Sequence, residues 1–216
     1  MALRCHFNYS GILANIMKQF SPSIATLIDA LTVLPGVGQK TAQRMALYLM
    51  DKDPDGGQRL QQGLKQALDN VKYCSVCHAL SESDPCHICH KDHRNNGQIC
   101  IVETMMDLLT IENASIYQGK YFVLHGKISP LDGMTPEKLN LNQLAKHIQA
   151  AGISEVILAL SSTVEGETTA SYIRQMLQDQ TIQVSRIGFG VPSGGEVEYL
   201  DQQTLTYAFT GRRLFE

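Results

Sequence analysis

The sequence lacks the features that would place it at once in a membrane, a secreted or a uniformly basic class. It contains no run of about eighteen apolar residues, the length that a membrane-spanning helix needs. The apolar residues 156–160 are followed by serines and predict only a buried strand. The formal net charge is −3, which argues against a uniformly basic nucleic-acid-binding protein.

The N-terminal stretch also lacks the pattern of a secretion signal. It carries a short apolar patch, but no apolar core followed by a small-residue cleavage site. Four of the six cysteines lie between positions 74 and 89, whereas secreted disulfide scaffolds are shorter and spread their cysteines. We therefore expect a cytoplasmic protein without membrane attachment, whose clustered thiols hold a metal.

The charges are unevenly distributed along the chain. Residues 17–73 hold seven Lys/Arg against five Asp/Glu, a balance of +2. Residues 98–216 hold eight against thirteen, a balance of −5. We expect contacts with phosphate groups to lie in the N-terminal part.

Hydrophobic spacing predicts an α/β protein with several domains. Apolar residues at helical spacing predict helices over 24–33, 40–50 and 60–71, with a glycine hairpin after the first and a loop at 53–57. After Gly97, short apolar strands alternate with helices, which predicts a mainly parallel sheet flanked by helices. The strands are expected at 99–102, 121–124, 156–160 and 182–187, and the helices at 105–109, 141–151 and 169–177.

The cysteines form two short pairs, Cys74-x-x-Cys77 and Cys86-x-x-Cys89, separated by eight residues. Each pair can bend into a knuckle that presents two thiolates to one tetrahedral ion, so zinc is the expected metal. Four thiolates leave no position for water, which favours a structural role for one zinc per chain. Two disulfides or four unrelated core thiols are the alternatives. The nearby histidines are expected to be surface neighbours rather than ligands: His78, His87 and His90.

A glycine hairpin, Leu34-Pro35-Gly36-Val37-Gly38, precedes the second helix and resembles the helix-hairpin-helix motif of DNA-binding proteins. Its glycines allow a tight turn, after which the first amides of the helix can face a phosphate oxygen. Lys40 and Arg44 are spaced i and i+4, so both should reach the same backbone. Such contacts hold DNA without sequence preference. The alternative is an ordinary turn with a solvated basic face.

Acidic residues are expected to meet at the carboxyl edge of the sheet, where Glu103 ends one strand and Glu165-Gly166-Glu167 follows another. This arrangement resembles the Toprim domain, in which a Glu and an Asp-x-Asp pair hold magnesium for phosphoryl transfer. Here Glu-x-Glu replaces Asp-x-Asp, with no obvious nucleophilic tyrosine or base, so we expect no catalysis. Magnesium binding stays open. A metal-dependent Toprim nuclease or primase-like enzyme and a solvated acidic loop are the alternatives.

The glycine-rich segment 188–199 lacks the Gly-Lys-Ser/Thr ending of a phosphate-binding loop, so we expect a structural turn. Taken in order, the hairpin, the cysteine module, the Toprim-like sheet and this segment resemble the RecR family of recombination mediators. The stretches that carry the resemblance are 34–38, Ser129-Pro130-Leu131-Asp132-Gly133 and 163–167.

The resemblance implies a non-catalytic homotetramer that clasps DNA and acts with RecO and RecF to load RecA at gapped DNA. It implies a helix-hairpin-helix region at 17–73, a zinc finger at 74–89, a Toprim domain at 98–193 and a C-terminal segment at 194–216. Residues 1–16 are expected to be a disordered or non-native extension. The acidic face around Glu103, Glu165 and Glu167 would receive a basic partner such as RecO. A zinc scaffold for protein contacts only is a further alternative.

Overall fold

The computed structural model describes residues 20–212, which divide into two compact units, one ending at Asn70 and one beginning at Val71. The expected extension at 1–16 lies outside the described residues. Within residues 20–212, no helix is long and apolar enough to cross a membrane.

The N-terminal unit contains three helices: α1 (Pro22–Leu31), α2 (Gln39–Asp51) and α3 (Pro54–Asn70). α1 and α2 pack through a small core in which alanines allow the two helices to approach closely: Ala25, Ile28, Leu31, Ala42 and Ala46. The helices predicted at 24–33 and 40–50 are confirmed. The loop predicted at 53–57 is wrong, because Asp53 accepts a 2.8 Å hydrogen bond from the Gly56 amide and Pro54 begins the helix.

The C-terminal unit begins with a two-stranded antiparallel hairpin, β1 (Lys72–Tyr73) and β2 (Leu80–Ser81). A four-stranded sheet follows, in which every pairing is parallel and the order is β4-β3-β5-β6. The alternation predicted from the sequence is confirmed. Its elements are β3 (Gln98–Val102), α4 (Met105–Asn113), β4 (Lys120–Val123), α5 (Leu141–Ala150), β5 (Glu155–Ala159), α6 (Val164–Met176), β6 (Gln183–Arg186) and α7 (Gln202–Thr210).

The central sheet has one core on each face, because successive side chains of a strand point to opposite sides. One face packs against α5 and α6, and its buried side chains include Ile99 and Ile101 of β3 and Phe122 of the edge strand β4. The opposite face packs against α4 and the cysteine module, and its strands contribute Cys100, Val102, Tyr121 and Val123. The cysteine module is therefore part of the core of this unit.

A buried ion pair connects the segment after the cysteine module to the sheet. Arg94, only 6% exposed, pairs with Glu112 of α4 and donates to the Gly119 carbonyl at 3.0 Å. The Tyr121 hydroxyl donates to the same carboxylate at 3.1 Å. Breaking such a pair leaves an uncompensated buried charge. These contacts therefore hold the segment that leads into β3 against α4 and the start of β4.

Candidate metal centre and nucleic-acid interface

The sulfur atoms of Cys74, Cys77, Cys86 and Cys89 all lie within 4.8 Å of one another, and all four residues are buried. The Cys77 and Cys86 sulfurs are 3.5 Å apart. Four Zn–S bonds of about 2.3 Å in a tetrahedron place the sulfurs about 3.8 Å apart. The cluster therefore fits one zinc ion and no other protein ligand is needed to complete its shell.

Backbone turns at each pair aim the thiols at one point. The amide of His78 donates to the Cys74 carbonyl at 2.9 Å, and that of His90 to the Cys86 carbonyl at 3.0 Å. Hydrogen bonding among the clustered thiols lowers the pKa of Cys86 and raises the pKa of Cys77 and Cys89, so Cys86 is the first of these three to lose its proton. His87 and His90 are exposed, as expected for surface neighbours.

The metal module is attached to the edge of the sheet through its own knuckle. The Val123 amide of β4 donates to the Cys77 carbonyl at 2.9 Å, so the knuckle pairs with the edge strand. The His125 imidazole contacts the carbonyl oxygen of His78 at 2.6 Å, just beyond the same strand. Half-buried His78 also hydrogen-bonds Gln143 of α5 at 2.9 Å. Zinc bound by these cysteines would therefore stabilise both the knuckles and the edge of the sheet that pairs with them.

The glycine hairpin of the N-terminal unit presents an open turn of backbone. Gly36 has a φ of +77°, a conformation that favours glycine, and the Val37 amide closes the turn on the Leu34 carbonyl at 3.1 Å. A Cβ added at Gly36 or Gly38 would meet no atom of residues 20–212 within 4 Å. Among the described residues, no side chain therefore covers this backbone.

Helix α2 begins at the hairpin with amides that find no acceptor in the described part of the chain. Gly38 is the N-cap, and the amides of Gly38, Gln39 and Lys40 make no hydrogen bond within residues 20–212. These amides and the helix dipole favour an anion at this end. Lys40 and Arg44 are exposed beside it, and neither forms an ion pair within the same described range. The arrangement can bind a phosphate group.

The carboxyl edge of the sheet brings Glu103 next to the strand end of β5. The Glu103 carboxylate accepts a hydrogen bond from the Ser161 amide and lies 3.6 Å from the Lys127 ammonium. Only 13% of the Glu103 side chain is exposed. This carboxylate is therefore engaged by the protein itself.

The two glutamates of α6 differ in their surroundings. Glu167 pairs with Arg186 at 2.7 Å, and hydrogen bonding from that guanidinium lowers the pKa of the Glu167 carboxyl. The Tyr207 hydroxyl of α7 lies 3.4 Å from the same carboxylate. The Glu165 carboxylate is half-buried and has no such cation beside it among the described residues. Within residues 20–212, Glu103, Glu165 and Glu167 do not form a cluster that could hold a metal jointly.

Four family models match successive parts of the chain. They are the RecR helix-hairpin-helix at 24–68, the RecR four-cysteine zinc finger domain at 71–89, the Toprim domain at 97–188 and the RecR C-terminal region at 190–213. The recombination protein RecR of Francisella tularensis subsp. novicida strain U112 is 53% identical over 195 residues, 90% of this chain and 97% of that protein. The chain belongs to the RecR family. RecR of subsp. mediasiatica strain FSC147 has the same identity and coverage.

Membership of the RecR family confirms the resemblance carried by the sequence motifs and the assignment of one structural zinc to the four cysteines. Sequence reasoning missed two cations at the RecR Toprim edge, Lys127 and Arg186. Both lie at or just beyond a strand end, since Lys127 follows β4 and Arg186 ends β6. The rule that the carboxyl ends of parallel strands share one edge could have found them.

Proposed function

We propose that this RecR-family protein is a non-catalytic mediator of recombinational DNA repair that binds DNA without sequence preference. In this proposal it acts in the cytoplasm with RecO and RecF and promotes the loading of RecA at gapped DNA. Two lines of support are the curated relatives, which are recombination proteins by name, and the match to the RecR helix-hairpin-helix.

The observation that carries DNA binding is the open end of α2. Unsatisfied amides, a dipole that favours anions and two exposed cations lie together at the hairpin. Main-chain amides and a helix N-terminus bind phosphate oxygens, and phosphate contacts carry no sequence information. Binding should therefore be independent of sequence and sensitive to salt.

Self-association, which the proposed homotetramer requires, is supported by the apolar surface of the N-terminal unit. Leu60, Leu64 and Leu68 form a stripe along α3 at i, i+4 and i+8, with exposed fractions of 53%, 59% and 74%. Exposed stripes of this kind mark surfaces that another chain covers. We expect Leu64→Glu to reduce the mass measured by light scattering, whereas Gln61→Glu on the same helix leaves it unchanged. An unchanged mass in both variants would contradict a role of the stripe in assembly.

The RecO contact is assigned to the acidic edge, with Glu165 as the carboxylate most available to a basic partner. Within residues 20–212, Glu103 and Glu167 each lie beside a cation of the protein itself, whereas Glu165 has no such cation beside it. We expect Glu165→Lys to weaken RecO binding in a titration, with folding intact. Unchanged RecO affinity after charge reversal at all three glutamates would contradict this assignment.

A direct experiment separates the mediator from a Toprim nuclease. The purified protein is incubated with magnesium or manganese and end-labelled gapped DNA, and the products are resolved on a denaturing gel. The proposal predicts retained, uncut DNA. If the wild-type protein cleaves the DNA and Glu103→Gln does not, the protein is a Toprim nuclease instead. If the protein does not bind the DNA even at low salt, it is a scaffold for protein contacts only.

A further inference from the structure

The carboxyl edge of the Toprim sheet contains an ammonium group surrounded by oxygen atoms. Lys127 Nζ donates to Ser161 Oγ at 3.3 Å and to Thr163 Oγ1 at 3.2 Å, and lies 3.6 Å from Glu103 Oε2. An ammonium group has three donors and no acceptor. Two hydroxyl oxygens therefore accept hydrogen bonds from this ammonium group, and the Glu103 carboxylate lies within ion-pair distance and supplies the opposite charge.

The backbone holds this lysine in place from both sides. The Gly126 amide donates to the Glu103 carbonyl at 3.1 Å, and the Ile128 amide donates to the Thr169 hydroxyl at 2.9 Å. Thr169 is fully buried in α6. Lys127 is thus fixed between two elements of the edge, and only 29% of its side chain is exposed.

A second cation covers the other side of the same edge. Arg186 donates to Glu167 at 2.7 Å and to the Ser161 carbonyl at 3.3 Å, and its guanidinium lies 4.6 Å from the centre of the Phe189 ring. Ser161 therefore contacts Lys127 through its hydroxyl, Glu103 through its amide and Arg186 through its carbonyl.

The Toprim fold implies magnesium at this edge, but the residues present do not fit it. Mg²⁺ needs a nearly octahedral set of oxygens at about 2.0–2.1 Å, normally including one or two free carboxylates. Here the Glu103 carboxylate faces a lysine and an amide, and the Glu167 carboxylate faces an arginine. A divalent ion would have to share these oxygens with two positive charges that repel it.

We propose that Lys127 is the resident cation of this Toprim edge, supplying the positive charge that a divalent ion supplies in catalytic Toprim enzymes. The ammonium joins Glu103 to the β5–α6 turn and, by occupying those oxygens, determines that the edge does not take Mg²⁺. This inference is independent of DNA binding by the hairpin.

Mn²⁺ serves as the probe, in full-length protein that retains its zinc. Binding is followed by the paramagnetic resonance signal of free Mn²⁺, and stability by thermal unfolding. The variants are Lys127→Ala, Glu103→Gln and their combination, with Lys146→Ala as a control that removes an exposed lysine of α5.

We expect wild type and Glu103→Gln to show the same Mn²⁺ titration. Lys127→Ala should unfold about 3 °C below wild type, gain saturable Mn²⁺ binding and recover its Tm when Mn²⁺ is added. The combined variant should lose both the binding and the recovery, and Lys146→Ala should behave as wild type.

Two results would overturn the proposal. Mn²⁺ binding by the wild type that Glu103→Gln removes would mean that a divalent ion shares the edge with Lys127. A Lys127→Ala variant that Mn²⁺ neither binds nor stabilises would mean that the ammonium does not stand in for an ion. If Lys127→Ala does not fold, the comparison of wild type with Glu103→Gln still decides the first of these results.

Discussion

Loss of a zinc ligand should disturb the sheet as well as the metal module. Cys77→Ala removes one thiolate, and structural zinc contributes on the order of 10 kcal/mol or more to folding. A whole domain is stable by only about 5–15 kcal/mol. The knuckles have little core of their own, so residues 71–89 should unfold when the metal leaves.

The cost extends to the sheet because the module covers one of its faces. Tyr121 and Val123 are at most 1% exposed and would lose that cover. Burial of such side chains contributes about 1.5–3 kcal/mol each. For the two side chains together, a loss of about 3–6 kcal/mol corresponds to a fall in Tm of roughly 6–24 °C for a chain of this size.

Three measurements follow this prediction in one sample: zinc content by metal analysis, Tm by calorimetry and hydrogen exchange at the Val123 amide. The Val123 amide donates to the Cys77 carbonyl, so its protection from exchange should disappear in Cys77→Ala. The amides that join β5 to β6 should stay protected. Cys100→Ala is the matched control, because Cys100 is a buried thiol of the same face outside the metal cluster. A zinc-free Cys77→Ala protein with wild-type Tm and a protected Val123 amide would refute the shared core.

Three further substitutions test smaller elements. Gly36→Ala should cost about 1 kcal/mol in urea denaturation because a side chain is strained at a φ of +77°. Gly63→Ala, in the interior of α3 with open space around the added methyl group, should instead stabilise by about 0.5–1 kcal/mol; equal effects of the two substitutions would contradict a strained turn. Glu112→Gln should cost about 3 kcal/mol, because it removes the carboxylate from the buried ion pair, and a cost below about 1 kcal/mol would show that the pair is dispensable. The hydrogen bond from Arg186 lowers the pKa of the Glu167 carboxyl in the folded protein. This bond therefore stabilises the fold fully above the pKa of an unfolded glutamate, about 4.3, and its contribution is lost as the pH falls through the lower pKa of the folded state. With 39% of that carboxylate exposed, the effect should stay below about 1 kcal/mol, and stability profiles of wild type and Arg186→Gln should converge at low pH.

The helices and strands were largely predictable because their signals are local. The apolar spacing in 156–160 and the two Cys-x-x-Cys pairs each act within a few residues. The start of α3 was not predicted, because Gly56 and Gly57 each disfavour a helix by about 1 kcal/mol. In the fold, the cap from Asp53 and the favourable position of Pro54 outweigh that cost.

The surroundings of the acidic edge were less predictable, because they depend on contacts between residues far apart in sequence. Glu103 and Ser161 are 58 positions apart, and Lys127 reaches both. Sequence placed the glutamates at one edge but could not show that internal cations already engage two of them. Whether these glutamates are available to bind an ion depends on the side chains that pack around them in the folded protein.

The salt dependence of DNA binding is the sharpest test of phosphate binding at the glycine hairpin. Binding of gapped DNA is measured over a series of salt concentrations for wild type, for Lys40→Ala/Arg44→Ala and for Lys52→Ala/Arg59→Ala. The last variant removes the same charge from the same unit, at cations that pair with Asp51 and Asp53 near the opposite end of α2. Each phosphate contact contributes about −0.9 to the logarithmic slope on duplex DNA and about −0.7 on single strands. The account predicts a steep slope for wild type and the control, and weaker binding with a shallower slope for Lys40→Ala/Arg44→Ala. Equal slopes and affinities for all three proteins would contradict it.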